Sequence, residues 1–179
     1  MQLITSPFRI QPEAAVPPGS VERLYDRVFG PARFQKASHR LRKGVAPASA
    51  LGWVATEGDR IIGAVRYWPI QVKETGEPAL LLGPLAIAPE WTGRGIGTAL
   101  VTKTLGLAEG HGHDLVLLAG DPAYYVRFGF VPASPCGFVM PGEARPERLQ
   151  VMSLRYRLHR GRGGTLQAAM PDARSARAS

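Results

Sequence analysis

The 179-residue chain predicts an α+β fold: a mixed, mostly antiparallel sheet with one parallel βαβ crossover. Three observations carry the prediction. Runs rich in Val, Ile, Trp and Tyr flank Gly58-Asp59, a dipeptide that favours hairpin turns. Between residues 80 and 120 an apolar strand, a glycine-rich turn, a helix-period segment and a second apolar strand follow in order, which makes those two strands parallel neighbours. A late run, "RLQVMSLRYRL", alternates as a closing strand.

Taken in order, a short strand is expected around residues 7–11, followed by a helix in "PPGSVERLYDRVFG" with Ser20 as its N-cap. Val21, Leu24 and Val28 recur there at helical spacing, and Gly30 ends the pattern. A second, basic helix is read over residues 31–43, with Pro31 at its first turn and Gly44 at its stop. The hairpin comes next. "PALLLGPLAIAP" is apolar on both faces and therefore central, yet Pro84 cannot donate to a ladder, so Gly83-Pro84 marks a bulge or a place where this strand parts from a neighbour. Leu100, Thr104, Leu107 and Ala108 share a helical face from Ile96 onward, with Gly110 as the stop. "DLVLLAG" is a buried strand, and "DPAYYVRFGF" a short helix ended by Gly129.

Composition narrows the function classes. The length suits one domain, residues 1–158, followed by a basic, disordered tail over residues 159–179. Six Arg and one Asp between Arg155 and Ser179 give that end +5 of the total charge of +8. A second cluster, Arg33, Lys36, Arg40, Arg42 and Lys43, has no acid among it; it reads as a solvated helix face, with contact to an anionic partner as the alternative. Neither stretch carries an aromatic platform interleaved with its charge or a recognised nucleic-acid motif. The one cysteine, Cys136, excludes an intrachain disulfide, and no segment approaches the ~18 apolar residues of a membrane span. A cytoplasmic protein is expected, without a membrane partner and with a homodimer left open.

The sharpest feature is "PEWTGRGIGTALV", with Gly93, Gly95 and Gly97 between strand and helix. Bare amides at a helix start suit a phosphorylated ligand. A P-loop would need Lys directly after its last glycine, where Thr98 stands. The dinucleotide fingerprint fails at Leu100, and the acid about 20 residues on, Asp114, lies before the next strand rather than at its end. Thr92-Gly93-Arg94-Gly95-Ile96-Gly97 instead resembles the acetyl-CoA motif Q/R-x-x-G-x-G/A of the GCN5-related N-acetyltransferases, with Thr92 in place of Gln or Arg. "AYYVRFGF" is similar to that family's "FYEKxGF" helix, although "GDP" stands where an Asn often precedes it.

The resemblance, strong over residues 51–130, implies the family's acyl-CoA N-acyltransferase fold, that of a bacterial branch whose substrates are mostly unassigned. It implies acetyl-CoA as co-substrate, no metal, and direct transfer to a primary amine of a small molecule or peptide. By the same resemblance Gly93, Arg94, Gly95, Ile96, Gly97 and Thr98 cradle the pyrophosphate, and Leu85, Ala86 and Ile87 pair with pantetheine. The Ala86 or Ile87 amide donates to the oxyanion, and Tyr125, four residues before Gly129, is the general acid. Tyr124 reads as core and Cys136 as inert. His111 and His113 cap a loop and lack a third metal ligand. No general base is legible among Glu74, Glu77, Asp121 and His39. The alternative function is a non-catalytic CoA or acyl-CoA sensing module.

Overall fold

The computed structural model describes residues 7–170. In chain order they form β1 (Arg9–Pro12), α1 (Ser20–Phe29), α2 (Ala37–Arg40), β2 (Trp53–Glu57), β3 (Arg60–Val72), β4 (Pro78–Ile87), α3 (Ile96–Gly110), β5 (Leu115–Ala119), α4 (Pro122–Tyr125), β6 (Val131–Pro132), β7 (Leu149–Ser153) and β8 (Leu166–Ala168). Among the described residues eight strands make one sheet in the order β1-β2-β3-β4-β5-β7-β6, with β8 added beside β3. Every pairing is antiparallel except β4 with β5, joined through α3. This is the mixed sheet with a single crossover that the residue pattern predicts.

Side-chain alternation along the central strands divides the core in two. Leu80, Leu82, Val116 and Leu118 join the buried faces of α1 and α3, notably Leu24, Tyr25, Leu100 and Val101. The intervening Ala79, Leu81, Leu115 and Leu117 pack with Phe138, Met140, Ala37 and Leu41. Both faces of β4 and β5 are thereby covered, which is why these strands read as unbroken apolar runs. Two buried hydroxyls tie helices to sheet. Tyr67 of β3 meets Thr104 of α3 at 2.9 Å, and the Tyr25 hydroxyl of α1 donates to the Pro84 carbonyl at 3.0 Å.

Gly83 and Pro84 do bulge β4. Its residues Leu82 and Leu85 oppose Tyr67 and Val65, so β4 spends one residue more than β3 at this point; the Gly83–Pro84 peptide is cis. Beyond the bulge β4 leaves its parallel partner. Pairing with β5 covers only Ala79 to Leu115, Leu80 to Val116 and Leu81 to Leu117, while residues 82–87 stay on β3 alone and Leu118 and Ala119 stay on β7 alone. The sheet therefore opens at the carboxyl ends of its two parallel strands.

Several expectations change. Gly19 (φ +78), not Ser20, caps α1, and Ser20 is its first residue, its hydroxyl accepting from Arg23 at 2.9 Å. The basic helix over residues 31–43 is not continuous: a 3-10 turn, Pro31–Gln35, is separated from α2 by extended backbone at Lys36 (φ −67, ψ 145). Ala37 and Leu41 are its only buried apolar side chains, too few to hold a long helix by packing. The domain also extends past residue 158. Arg162 pairs with Glu77 at 2.8 Å and with Asp114, Thr165 binds the Glu74 carboxylate through its amide (2.8 Å) and hydroxyl (2.7 Å), and Leu166 of β8 is buried in the core. Paired charge, rather than apolar content, seats this segment; the remainder of the anticipated tail, residues 171–179, lies outside the described residues.

Candidate functional site

Two clefts occupy the opening between β4 and β5, and Leu85 lines both. The first, of about 370 Å³, is bounded by Leu85 and Ile87 of β4, by Trp91, by Thr92, Gly93, Gly95, Ile96, Gly97 and Thr98 of the glycine turn, and by Tyr124 and Arg127. Gly93 and Gly95 both take φ +79, a conformation other residues enter at a cost. Gly95 is the N-cap of α3, and the first intrahelical bond runs from the Ala99 amide to its carbonyl at 2.9 Å. Among the described residues the amides of positions 93–98 find no acceptor, so the start of α3 presents unpaired N–H groups and the positive end of its dipole to this cleft. Gly97 is needed for a different reason: a Cβ there would collide with the Tyr124 hydroxyl.

The β4 residues beyond the bulge divide by direction. The Ala88 amide donates to the Ile62 carbonyl at 2.8 Å, so by strand alternation the Ala86 amide also faces β3, whereas those of Leu85 and Ile87 face the opening. Ala86 is accordingly buried and touches neither cleft, and of the two amides expected to serve an oxyanion only that of Ile87 is turned outward. Arg94 does not line the cleft; its guanidinium stacks on Trp91, 4.6 Å from the ring centroid.

The second cleft, of about 210 Å³, lies against Leu82, Gly83, Pro84 and Leu85 of β4 and against Ala119, Gly120, Asp121 and Tyr125. Asp121 caps α4 by accepting from the Ala123 amide at 3.0 Å. Tyr125 is held edge-on to Phe130 (centroids 5.9 Å apart) and to Tyr124 (4.9 Å), and its ring passes so close to Gly120 that a Cβ there would clash. Burial, with Tyr124 adding and Arg148 opposing, pushes the Tyr125 phenol above its ordinary value, so it stays protonated at neutral pH.

Other residues singled out by type resolve into structural roles. Glu74, Glu77 and Asp114 hold the C-terminal segment, which removes them as bases and Asp114 as a ribose contact. His111 and His113 donate backbone amides to Leu107 and Ala108, closing α3. Cys136 is buried in the second core, away from both clefts. Tyr124 is not core but lines the glycine-turn cleft. Arg127 is the residue that pattern reading missed: its Nε donates to the Tyr124 carbonyl at 2.9 Å and its guanidinium lies 4.5 Å from that ring's centroid. Its signal is its place three residues after Tyr124, in the 3-10 turn that follows α4.

Residues 48–132 match the family model described as an acetyltransferase (GNAT) domain. The chain is 31% identical over 122 residues to the uncharacterized N-acetyltransferase YhbS of Escherichia coli (strain K12), covering 68% of this chain and 72% of that protein. The crystal structure of YhbS in complex with CoA superposes with a TM-score of 0.74 at 28% identity, over 94% of this chain and 93% of that one. A Brucella melitensis GNAT acetyltransferase, solved in complex with acetyl-CoA, shares the fold (TM-score 0.64, 23% identity, 91% of this chain and 96% of that one). Together with the opened β4–β5 seam, these matches establish that the chain belongs to the GNAT acetyltransferase family.

Proposed function

We propose that this protein transfers the acetyl group of acetyl-CoA to a primary amine of a small molecule or peptide, by direct attack. The observation that carries the reading is the parted β4–β5 seam with unpaired amides at its mouth. The residues present suit the co-substrate. The amides of residues 93–98 answer a diphosphate, Arg127 supplies a cation that Thr92 does not, and the free edge of β4 at Leu85 and Ile87 accepts a strand-like pantetheine arm. CoA binding by YhbS supports the assignment.

When bound, acetyl-CoA supplies an activated acyl carbon and a thiolate leaving group. The Ile87 amide, directed into the seam, stabilises negative charge on the carbonyl oxygen as the amine attacks. Tyr125 gives its proton to the departing sulfur. The N–C bond forms as the C–S bond breaks, and the proton lost by the amine leaves through water. Asp121 is the carboxylate that shares the second cleft with Tyr125 and is placed to orient an ammonium.

Calorimetric titration with CoA and a thiol-release assay over a panel of primary amines test the reading. Micromolar CoA binding with amine-dependent thiol release is expected. A protein that neither binds CoA nor releases thiol would overturn it. Tight binding without transfer to any amine would instead identify a sensing module.

A further inference from the structure

The second cleft carries more positive charge than the fold explains. Three other partly buried guanidinium groups each meet two carboxylates: Arg66 meets Glu13 and Glu22, Arg33, which lines this cleft too, meets Glu22 and Asp26, and Arg162 meets Glu77 and Asp114. Arg42 meets none. Among the described residues it has no ion pair, its Nε is buried without a hydrogen-bond partner, and one terminal nitrogen lies 3.2 Å from where a Gly83 side chain would begin. Lys36 and Arg148 line the same cavity and are likewise without an ion pair among the described residues. Burial, opposed by Tyr25 and joined by the nearby Arg33, pulls the Arg42 pKa down to about 10. The Lys36 ammonium is lowered by burial and then by Arg148 and Arg42, with Glu143 opposing, so these cations share one space. Among the described residues Asp121 is the single carboxylate lining that space.

A buried, unpaired guanidinium is costly to a fold, and it is retained where an anion arrives from outside. Resting on the acetyltransfer reading, we infer that the acceptor amine carries an anionic group, carboxylate or phosphate, which Arg42, Lys36 and Arg148 bind while the amine lies toward Tyr125 and Asp121. The bulge sets this geometry, because Gly83 leaves room beside the Arg42 guanidinium.

The test pairs amines that differ in the anion: β-alanine against propylamine, and phosphoethanolamine against ethanolamine. Each is titrated calorimetrically into CoA-saturated protein and assayed for acetyl transfer. At least about tenfold tighter binding or higher kcat/KM is expected for the anionic member of one pair, and the pair that responds tells carboxylate from phosphate. Arg42→Gln should reduce the preference to about twofold while the melting temperature holds or rises, since an unpaired buried charge is removed. Lys36→Gln and Arg148→Gln report the same loss with less disturbance to packing. Equal binding of charged and neutral amines overturns the inference and leaves the acetyltransfer reading standing, as does failure of any anionic amine to bind the CoA-loaded protein. An Arg42→Gln variant that loses stability but keeps the discrimination marks a structural arginine and also overturns it. Absence of CoA binding overturns the acetyltransfer reading itself.

Discussion

The two clefts that meet at Leu85 are built on opposite plans. The glycine-turn cleft is made of main chain: amides at the start of α3 and a strand edge beyond the β4 bulge, both unpaired among the described residues. The neighbouring cavity lies against the β4 bulge and takes its charge from side chains of the α1–β2 connection, of the β5–α4 junction and of Arg148 ahead of β7. Backbone donors answer one fixed ligand whatever side chains surround them, whereas the cavity's charge is set one residue at a time. On the proposed reading, the fold separates the site for the acetyl donor from the site that selects the acceptor.

The contrast breaks most severely at Gly95. Gly95→Glu forces a side chain into φ +79 and puts a carboxylate at the proposed phosphate site, so CoA affinity should fall by roughly 100-fold or more in calorimetry, with the second cleft untouched. Next comes Tyr125→Phe, which should lower kcat by about 100-fold with little change in CoA affinity; unchanged turnover would remove the acid role. Because its phenol is raised rather than lowered, the wild-type pH profile should show no loss of activity from this group as pH rises through 9, only the gain from deprotonating the amine. Arg127→Gln sharpens the contrast from the other side, weakening CoA binding by about tenfold as a side-chain supplement to a backbone site.

The smallest effect belongs to Asp114→Asn, at a residue that lines neither cleft. Burial opposes ionisation of Asp114, but hydrogen bonds from Arg162, Ser153 and the Arg155 amide hold its carboxyl below the usual aspartate range. A lowered folded-state pKa stabilises above the unfolded value, about 3.9, and that contribution fades as pH falls through the folded value. The variant should therefore flatten the acid limb of melting temperature against pH, while CoA affinity stays the same.

Legibility followed the same division. The hairpin at Gly58-Asp59, the crossover, the Gly83-Pro84 irregularity and the glycine turn each lie within a few consecutive residues, and each is where the chain signals it. The residues that pattern reading lost depend on distant partners. Ala86 reads like Ile87 in the sequence, yet strand alternation turns its amide toward β3. Arg33 looked like free charge until α1 brought Glu22 and Asp26 beside it. Residues 159–170 looked like a basic tail because the acids that seat them, Glu74, Glu77 and Asp114, lie far away in sequence.

By itself the sequence determined the α+β class, the order of strands around the crossover and the phosphate-ready turn, because period-2 and period-3.6 patterning and glycine dihedrals are local properties. Only the tertiary structure decided which arginines are neutralised and which stand open. Ion pairing depends on distance in space, and it is the sheet's splay beyond Leu81 and Leu117 that leaves Arg42 facing a cavity instead of a carboxylate.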